Sequence, residues 1–399
     1  MTTKHKAETR PRGTAKNVRA TPGPATAPQF HQNLPGQVVL VLQGGGALGA
    51  YQAGVYQALH EAGIEPEWVI GTSIGAINGA IIAGNEPRKR LEQLTRFWEM
   101  VQGRRLGNVG DLAGLWPALS GAFAQLGIYT QGIEGFFKPN PQAAWGVNTP
   151  VGVDKAAFYT TEPLRDTLHE LVDFKCINAG RTRLTLGAVN VRSGEMRYFD
   201  TRDEKITAEH VMASGALPPA FPAVRIGESS YWDGGIYSNT PIEAVLDDKP
   251  RRDSLIFAAN MWHPHGPEPD TIAQVLARYK DIQYASRATS HITRQQQIHR
   301  LRHIIRDLSL HLPKAKRNDP AVRKLLAYGC ATVMHVVPLL APKVKGEDQT
   351  KDIDFTPAGV NTRWQAGHTD TRRALEQACW RNAVDAIDGV IVHEIQGGA

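Results

Sequence analysis

The strongest constraint on the fold is an apolar run that leads directly into glycines. Residues 37–43, QVVLVLQ, carry no charge and predict a strand buried on both faces, as in a parallel sheet. The sequence GGGALG follows at 44–49, and a helical pattern then places Val55 and Leu59 one turn apart. A strand that passes through a tight turn into a helix predicts a parallel sheet covered by helices.

Strand-like and helix-like segments alternate along the rest of the chain. Further strands are predicted at EWVIG (67–71), RLTLGAVNV (183–191), EMRYFD (195–200), SLIFAANMW (254–262) and TVMHVVPLL (332–340). Helices are predicted at 87–101, at 163–173, at 206–222 with a break at Pro218 and Pro219, over most of 271–329, and at 370–388. This alternation predicts an α/β sandwich with a largely parallel sheet.

The sequence GGGALG also fits the G-x-G-x-x-G pattern of dinucleotide-binding folds. That function requires an acidic residue about 20 positions further on, at the end of the next strand. The next strand here ends in Gly-Thr-Ser, and the carboxylates of Glu61, Glu65 and Glu67 come earlier in the chain. The sequence therefore argues against a nucleotide site.

The sequence GTSIG, with Ser73 at its centre, lies between a predicted strand and an apolar helix. This is the context of a nucleophile elbow. Gly71 and Gly75 permit a sharp turn where other side chains would clash, and the turn lifts the Ser73 hydroxyl clear of the sheet. The adjacent helix N-terminus stabilises negative charge that develops nearby. We predict Ser73 as a nucleophile; the alternative is a glycine-rich turn with an idle serine.

The first glycines have a second use if Ser73 is a nucleophile. Acyl transfer passes through a tetrahedral oxyanion, and one preorganised N–H donor there contributes about 3–4 kcal/mol. Consecutive glycines at a strand end point several N–H groups into one space, and the N–H after the nucleophile can join them. We predict an oxyanion hole formed by Gly44, Gly45, Gly46 and Ile74.

A serine nucleophile needs a base, and Asp233 in YWDGG is the candidate. Gly234 and Gly235 place its carboxylate in a tight turn with nearby N–H groups. An aspartate before glycine is also common in ordinary turns. Because an elbow serine is present and no histidine partner is obvious, we predict Asp233 as the general base.

A Ser–Asp–His triad is the alternative arrangement. His263 and His265 follow Asp233 in the chain order that an α/β-hydrolase requires. Against it, Ser73 follows only the second strand, which is earlier than those folds place the nucleophile. A polar, proline-rich loop explains both histidines without any catalytic or metal-binding role.

The motifs GGGALG, GTSIG and DGG, in this order, resemble those of the patatin-like phospholipases. The resemblance covers about residues 37–250 and includes the block ASGALPPAFPAV before WDGGIYSNTPI. It implies a three-layer α/β/α sandwich, a Ser73–Asp233 dyad without histidine, an oxyanion hole at 44–46, and no metal or cofactor. The motif glycines that it includes are Gly49, Gly71, Gly75, Gly234 and Gly235.

The resemblance implies a serine lipid acyl hydrolase of the phospholipase A or lipid esterase type, which acts on a lipid or acyl ester through an acyl-enzyme. Two alternatives stay open. One is an acyltransferase or thioesterase with the same dyad, and the other is a membrane-surface binding protein that retains the fold. The intact Ser73, Asp233 and glycine loop favour an enzyme.

Charge is distributed unevenly along the chain. The net charge is 45 − 39 = +6, and residues 1–35 contribute +5 as a predicted disordered basic tail. The remainder is close to neutral, which argues against a nucleic-acid partner. A second basic stretch, 287–317, predicts either a helix packed on the core or peripheral contact with an anionic membrane. Its apolar residues at helical spacing are Leu301, Ile304, Ile305, Leu308 and Leu312.

We expect a patatin-like catalytic domain at 36–250 and a C-terminal part at 251–399 that completes the sheet and adds a helical extension. That extension, which includes DIDFTPAGVNTRWQAG, resembles one found in a bacterial branch of the family. The irregular segment 95–150 predicts a lid, an acyl-chain pocket or ordinary core. The aromatic residues in it that could form such a pocket or lid include Trp98, Trp116, Phe123, Phe136, Phe137 and Trp145.

The cysteines Cys176, Cys330 and Cys379 have neither metal-site nor disulfide spacing. They predict buried thiols in a reducing compartment, and hence a cytoplasmic location with peripheral membrane contact as an option. The N-terminus lacks the apolar stretch of a secretory signal. With no run of 18 uncharged apolar residues, no membrane-spanning helix is expected.

Overall fold

A computed structural model describes residues 34–102, 132–344, 347–385 and 387–395. The predicted basic tail lies almost wholly outside these residues, as does part of the predicted lid. The strands are β1 (Gln37–Leu42), β2 (Trp68–Gly71), β3 (Lys138–Pro139), β4 (Tyr159–Thr160), β5 (Arg183–Asn190), β6 (Met196–Asp200), β7 (Val224–Ile226), β8 (Ser229–Asp233), β9 (Ser254–Asn260), β10 (Met334–Leu340) and β11 (Val390–Val392).

Helices connect these strands. They are α1 (Ala50–Glu61), α2 (Ile74–Ala83), α3 (Pro87–Val101), α4 (Glu162–Leu171), α5 (Phe174–Asn178), α6 (Ala208–Ser214), α7 (Glu243–Leu246), α8 (Ile272–His311), α9 (Lys314–Arg317), α10 (Pro320–Leu326) and α11 (Pro357–Gln377). Short 3₁₀ turns include Gly46–Gly49, Gly234–Ile236 and Lys351–Ile353. Within the described residues, no helix combines the length and apolar composition needed to cross a bilayer.

The main sheet has the strand order β11-β10-β9-β1-β2-β5-β8-β7, with β6 also paired to β5. The strands from β11 to β5 are parallel to their neighbours, and β6, β7 and β8 run antiparallel to theirs. In the register, Leu42 of β1 lies opposite Gly71 of β2 and Ala259 of β9. The carboxyl ends of these parallel strands therefore form one edge, where α/β folds place their ligands.

Alternate residues of β1 point to opposite faces of the sheet. Leu40 and Leu42 belong to the larger core, which also takes residues from α1, α2, α3 and α11. Val39 and Val41 belong to a smaller core on the other face, which α7 and α8 cover. Helices thus cover both faces, and the predicted three-layer α/β/α sandwich with a largely parallel sheet is confirmed.

Two predicted helices have different bounds in the structure. The final helix is α11, not 370–388. Pro357 begins its first turn and the Thr356 side chain accepts a hydrogen bond from Gly359 N, so the start lies well before residue 370. The helix predicted at 206–222 is only α6, because Gly215 ends it before the two prolines.

The prediction of buried cysteine thiols is wrong. All three are partly exposed, and none is in a disulfide. Cys176 lies on the surface helix α5, whose one buried side chain is Ile177. Cys330 follows α10 in a surface turn, and Cys379 begins the 3₁₀ turn after α11. Short surface elements leave such side chains partly in solvent.

The predicted basic helix falls within α8 and α9. Its buried histidines point toward the body of the protein, where His299 Nε2 lies 3.3 Å from Leu246 O and His303 Nε2 lies 3.0 Å from Thr332 O. The predicted apolar positions Leu301 and Leu308 are exposed. The helix therefore packs on the core with one face and leaves leucines in solvent on another.

The C-terminal helix α11 lies directly on α1. A Cβ atom added at Gly54 of α1 would lie 1.9 Å from Trp364 O, and one added at Gly367 of α11 would lie 2.0 Å from Tyr51 O. The two backbones approach this closely because each helix presents a glycine at the crossing. Tyr51 Oη also donates to Asp370 Oδ2 at 3.1 Å. The extension thus holds the helix that follows the glycine loop.

Candidate active site

Ser73 lies in a sharp turn between β2 and α2. Its φ is 57°, and Ala378 is the other non-glycine residue with positive φ in the described chain. Such a conformation costs about 1–3 kcal/mol and persists where the surroundings enforce it. A Cβ atom at Gly71 would lie 2.2 Å from Gly75 O, and one at Gly75 would lie 2.2 Å from Leu42 O. The turn predicted at GTSIG is therefore present and tightly packed.

Ser214, which the sequence analysis missed, fixes the backbone of Ser73. Ser73 N donates to both Oγ and O of Ser214, each at 3.1 Å. Ser214 Oγ in turn donates to Gly187 O at 2.6 Å. A serine at the end of α6 thus connects the elbow to β5. The sequence signal that could have identified Ser214 is its place in the ASGALPP block.

Strand register brings Asp233 to the elbow. In the pairing of β2 with β5, Gly71 lies opposite Leu186. On β5, strand β8 pairs with the carboxyl-terminal residues Ala188 to Asn190, and Asp233 lies opposite Ala188. Ala188 is two residues further along β5 than Leu186, so it lies just beyond the end of β2. Ser73 turns away from the sheet at that point. Two residues that are far apart in the chain therefore meet at one edge.

The Asp233 carboxyl is 1% exposed, and its Oδ1 accepts a hydrogen bond from Gly235 N at 2.7 Å. Burial raises the pKa of Asp233 to about 7, although the nearby Ser73 side chain and the Gly235 N–H act to lower it. A carboxyl group with this pKa can both accept and return a proton near neutral pH.

No histidine among the described residues hydrogen-bonds to Asp233. His263 N instead lies 3.5 Å from Asp281 Oδ1, and burial followed by nearby Lys351 lowers the pKa of the His263 ring. The described part of the chain also holds no group of three or more His, Cys, Asp or Glu side chains placed to bind a metal.

The glycine loop after β1 is anchored through Gly44. Gly44 N donates to Asn239 O at 3.0 Å, and Gly44 O accepts from Asn239 Nδ2 at 3.0 Å and from Trp262 Nε1 at 2.8 Å. The N–H of Gly44 is therefore already used. This corrects its predicted place in the oxyanion hole: Gly44 anchors the loop and is not a donor to the hole.

The other N–H groups predicted to donate to an oxyanion are not used in hydrogen bonds among the described residues. Within the described ranges, the N–H groups of Gly45, Gly46 and Ile74 donate to no acceptor. Ile74 begins α2, so its N–H is one of those that a helix leaves unpaired. At Gly49, a Cβ atom would lie 2.5 Å from Ile74 Cγ1, so the loop and the start of α2 are in close contact.

Gly46 connects the loop to the C-terminal extension. Its φ is +55°, and a Cβ atom there would lie 2.2 Å from Asp352 O. The Asp352 carboxylate accepts hydrogen bonds from Lys280 Nζ at 2.8 and 3.0 Å. A segment far beyond the three motifs thus forms one wall of the site.

Gln43 is a second residue that the sequence analysis missed. Its buried amide donates to Thr240 Oγ1 at 2.6 Å and accepts from the backbone N–H groups of Met261 and Trp262. Gln43 therefore joins β1 to the loop after Asp233 and to the end of β9. A glutamine at the end of an otherwise apolar strand was the available signal.

The aromatic residues of segment 95–150 divide into two groups. Trp98, Phe136 and Phe137 are buried in the larger core, and Trp145 is exposed. Trp116 and Phe123 lie outside the described residues. The buried ones are ordinary core side chains, and the prediction of a lid stays a prediction.

The fold and this edge define a class: an α/β protein with a strained serine elbow, a buried aspartate beside it and a glycine loop with unpaired N–H groups. A family model described as patatin-like phospholipase matches residues 40–246, more than half of the chain, and one described as patatin phospholipase matches 282–386. The chain belongs to the patatin-like phospholipase family, as its motifs predicted.

Similar proteins are much longer than the matched segments. The mouse patatin-like phospholipase domain-containing protein 6 is 46% identical over 75 residues, which are 19% of this chain and 6% of that protein. A Candida glabrata lysophospholipase NTE1 is 28% identical over 231 residues, 57% of this chain and 11% of that protein. This chain thus matches a small part of each relative's length.

Solved structures with some likeness include VipD from Legionella pneumophila, at TM-score 0.35 and 16% identity over 86% of this chain and 67% of that one. The human GIVD cytosolic phospholipase A2 gives a TM-score of 0.32 and 12% identity over 56% of this chain and 43% of that one.

Proposed function

We propose that this protein is a serine lipid acyl hydrolase in which Ser73 is the nucleophile and Asp233 the general base. The observation that carries the proposal is that the Ser73 side chain lies close enough to the buried Asp233 carboxyl to act on its pKa, which burial raises to about 7. A serine hydroxyl is a weak nucleophile until a neighbouring base takes its proton. The strained turn aims that hydroxyl at the edge where α/β proteins bind ligands.

The reaction proceeds in two halves. Ser73 Oγ attacks the ester carbonyl carbon while Asp233 takes the hydroxyl proton, and the carbonyl oxygen becomes an oxyanion. The C–O bond to the alcohol then breaks, Asp233 returns the proton to the leaving alcohol, and Ser73 carries the acyl group. Water attacks this acyl-enzyme with Asp233 again as base, which releases the fatty acid and restores the Ser73 hydroxyl.

The N–H groups of Gly45, Gly46 and Ile74 stabilise the oxyanion in both halves. They have no acceptor among the described residues, so they need no rearrangement when the charge develops. Gly44 contributes by holding the loop in place through Asn239 and Trp262.

The proposed substrate is an esterified lipid, by analogy with relatives named phospholipase and lysophospholipase. The same dyad would transfer the acyl group to another alcohol, or cleave a thioester, if the site admitted those substrates. Identification of the products separates these chemistries. A binding protein without turnover is the remaining alternative.

The test combines turnover with labelling of activated serine. Wild type should hydrolyse p-nitrophenyl butyrate and react with a fluorophosphonate probe at Ser73, as located by mass spectrometry. Ser73→Ala and Asp233→Asn should each lower kcat/KM at least about a thousandfold and remain folded by circular dichroism. Ser193→Ala, in an exposed turn, is the matched control and should behave as wild type. Full activity in Ser73→Ala would disprove the proposal, and an unreactive wild type would favour the binding protein.

A further inference from the structure

The first turns of α8 expose apolar side chains along one side. These residues recur at spacings of three and four, which places them on one helix face. Each is 48% to 81% exposed. We call them the apolar row: Ile272, Val275, Leu276, Tyr279 and Ile282.

The charged residues of the same turns are paired with other groups of the protein. Arg278 donates to two loop carbonyls at 3.0 and 2.7 Å, and Lys280 donates to Asp352 at 2.8 Å. Asp281 is buried and forms an ion pair with Lys351 at 2.7 Å. A surface helix normally turns its charges to water and its apolar face to the core. This segment instead leaves apolar side chains in water while its charges are paired, so its exposed face is suited to an apolar partner.

The helix that carries the apolar row reaches the candidate active site through its next turn. Tyr284, on the next turn of α8, accepts a hydrogen bond at its carbonyl oxygen from Asn239 Nδ2 at 3.3 Å. Asn239 is the residue that anchors Gly44. Ile236 and Tyr237, in the turn after Asp233, are also exposed. Exposed apolar side chains therefore come from two elements that border the site.

Charge along the rest of α8 indicates the kind of apolar partner. The helix contains two carboxylates in 40 residues, of which Asp281 is buried and paired and Asp307 lies near the far end. Arg294 and Arg300 are exposed on the intervening turns. A helix with an apolar face and cations, but few acids, matches the interface of an anionic bilayer.

We propose that the apolar row is the surface through which this protein docks on an anionic lipid bilayer. The proposal rests on the proposed function, because an esterified lipid would reach the Ser73 edge from that bilayer. It places the contact at 272–282, before the basic stretch 287–317 that the sequence suggested. In the docked state the row enters the interface and the elements bordering the active site face the lipid.

The experiment uses the full chain and sonicated vesicles of phosphatidylcholine and phosphatidylglycerol. The variant Val275→Ser/Leu276→Ser/Tyr279→Ser removes most of the apolar row. We expect its partition onto vesicles, measured by co-sedimentation, and its hydrolysis of vesicle phospholipid to fall at least about tenfold. Hydrolysis of soluble p-nitrophenyl butyrate should be unchanged, because the row touches no reacting group.

The matched control is Leu325→Ser/Tyr328→Ser, which removes two side chains that are 64% and 68% exposed on and after α10. It should partition as wild type does. Equal loss in both variants, or no loss in the apolar-row variant, would overturn the proposal. A further outcome would also overturn it: wild type sediments as a dimer, the apolar-row variant sediments as a monomer, and both partition equally onto vesicles. The apolar row would then be an interface between two copies of the protein.

The docking proposal and the proposed function fail in different ways. Ser73→Ala should bind vesicles like wild type and hydrolyse nothing. If row-dependent vesicle binding is found but wild type hydrolyses neither ester, docking is supported and the hydrolase proposal is wrong. If wild type hydrolyses the soluble ester but does not bind vesicles, the hydrolase proposal is supported and docking is wrong.

Discussion

The side-chain amide of Asn239 donates to the carbonyl oxygen of Gly44 at 3.0 Å, and Gly44 N donates back to Asn239 O at 3.0 Å. This reciprocal pair joins the loop after Asp233 to the glycine loop after β1. The proposed base and the proposed oxyanion donors are thereby held at a fixed separation, although they belong to strands on different sides of β2 and β5.

We predict that Asn239→Ala lowers kcat on a soluble ester about 10- to 100-fold with little change in KM. The loop would lose an anchor for donors that act mainly on the transition state. Asn260→Ala is the control, since among the described residues that amide bonds to Ala258 O and Thr240 Oγ1 and not to the glycine loop. Unchanged kcat in Asn239→Ala, with normal folding, would show that Trp262 alone anchors Gly44.

Activity should depend on the ionisation of Asp233. Burial raises the pKa of this carboxyl to about 7, and the base form is the ionised one. We therefore expect kcat/KM to rise with pH through about 7 and to level off above it. Tyr284, near Asp233, does not titrate in this range because its pKa is raised to about 12. A pH-stat assay measures the profile, and a flat profile from pH 5 to 8 would contradict the role of Asp233.

The same group affects stability with a defined sign. Because the pKa of Asp233 is higher in the folded protein than its ordinary value of 3.8, folding is favoured when the group is protonated. The stabilising contribution of protonated Asp233 to the free energy of unfolding is fully present below pH ~4 and is lost as the pH rises through about 7. Asp233→Asn stays neutral, so its free energy of unfolding should exceed that of wild type increasingly over this range, by up to about 4 kcal/mol. Urea unfolding at pH 5 and pH 8 measures this, and equal differences at the two pH values would refute it.

Backbone strain at Ser73 predicts a difference between two inactive variants. Ser73→Gly and Ser73→Ala both lose the hydroxyl and its interaction with Asp233. At a φ of 57°, glycine is free of backbone strain, whereas alanine keeps the strain that its Cβ atom causes. Ser73→Gly should therefore be more stable than Ser73→Ala by about 1 kcal/mol or more in chemical denaturation. The reverse order of stabilities would mean that the elbow is not strained.

Local sequence was sufficient to predict the elements that carry the motifs. β1, β2 and the elbow follow from uninterrupted apolar runs that end in glycine, and such signals act within a few residues. The turns that carry Ser73 and Asp233 were also predictable, because a serine elbow and an Asp-Gly-Gly turn are short patterns, and the catalytic roles of the two residues stay predictions.

Long-range partners were not predictable in this way. The bond from Asn239 to Gly44 spans 195 residues, and the contact of Gly46 with Asp352 spans more. The hydrogen bond from Gly44 N to Asn239 O depends on this long-range packing. The sequence alone therefore could not exclude Gly44 as a donor to the oxyanion. The bounds of α11 were missed because its interior contains glycine and few large apolar residues, and its place depends on the crossing with α1.

The position of β9 between β1 and β10 determines which shortened versions of this protein could be made. Residues 40–246, the part that the family model matches, include only the last three of the six residues of β1 and none of β9. A fragment cut there would lose Val39 and leave Val41 with an unpaired sheet edge and with half of the smaller core missing. We expect such a fragment to be insoluble, so a fusion or crystallisation design has to retain the chain through Val392.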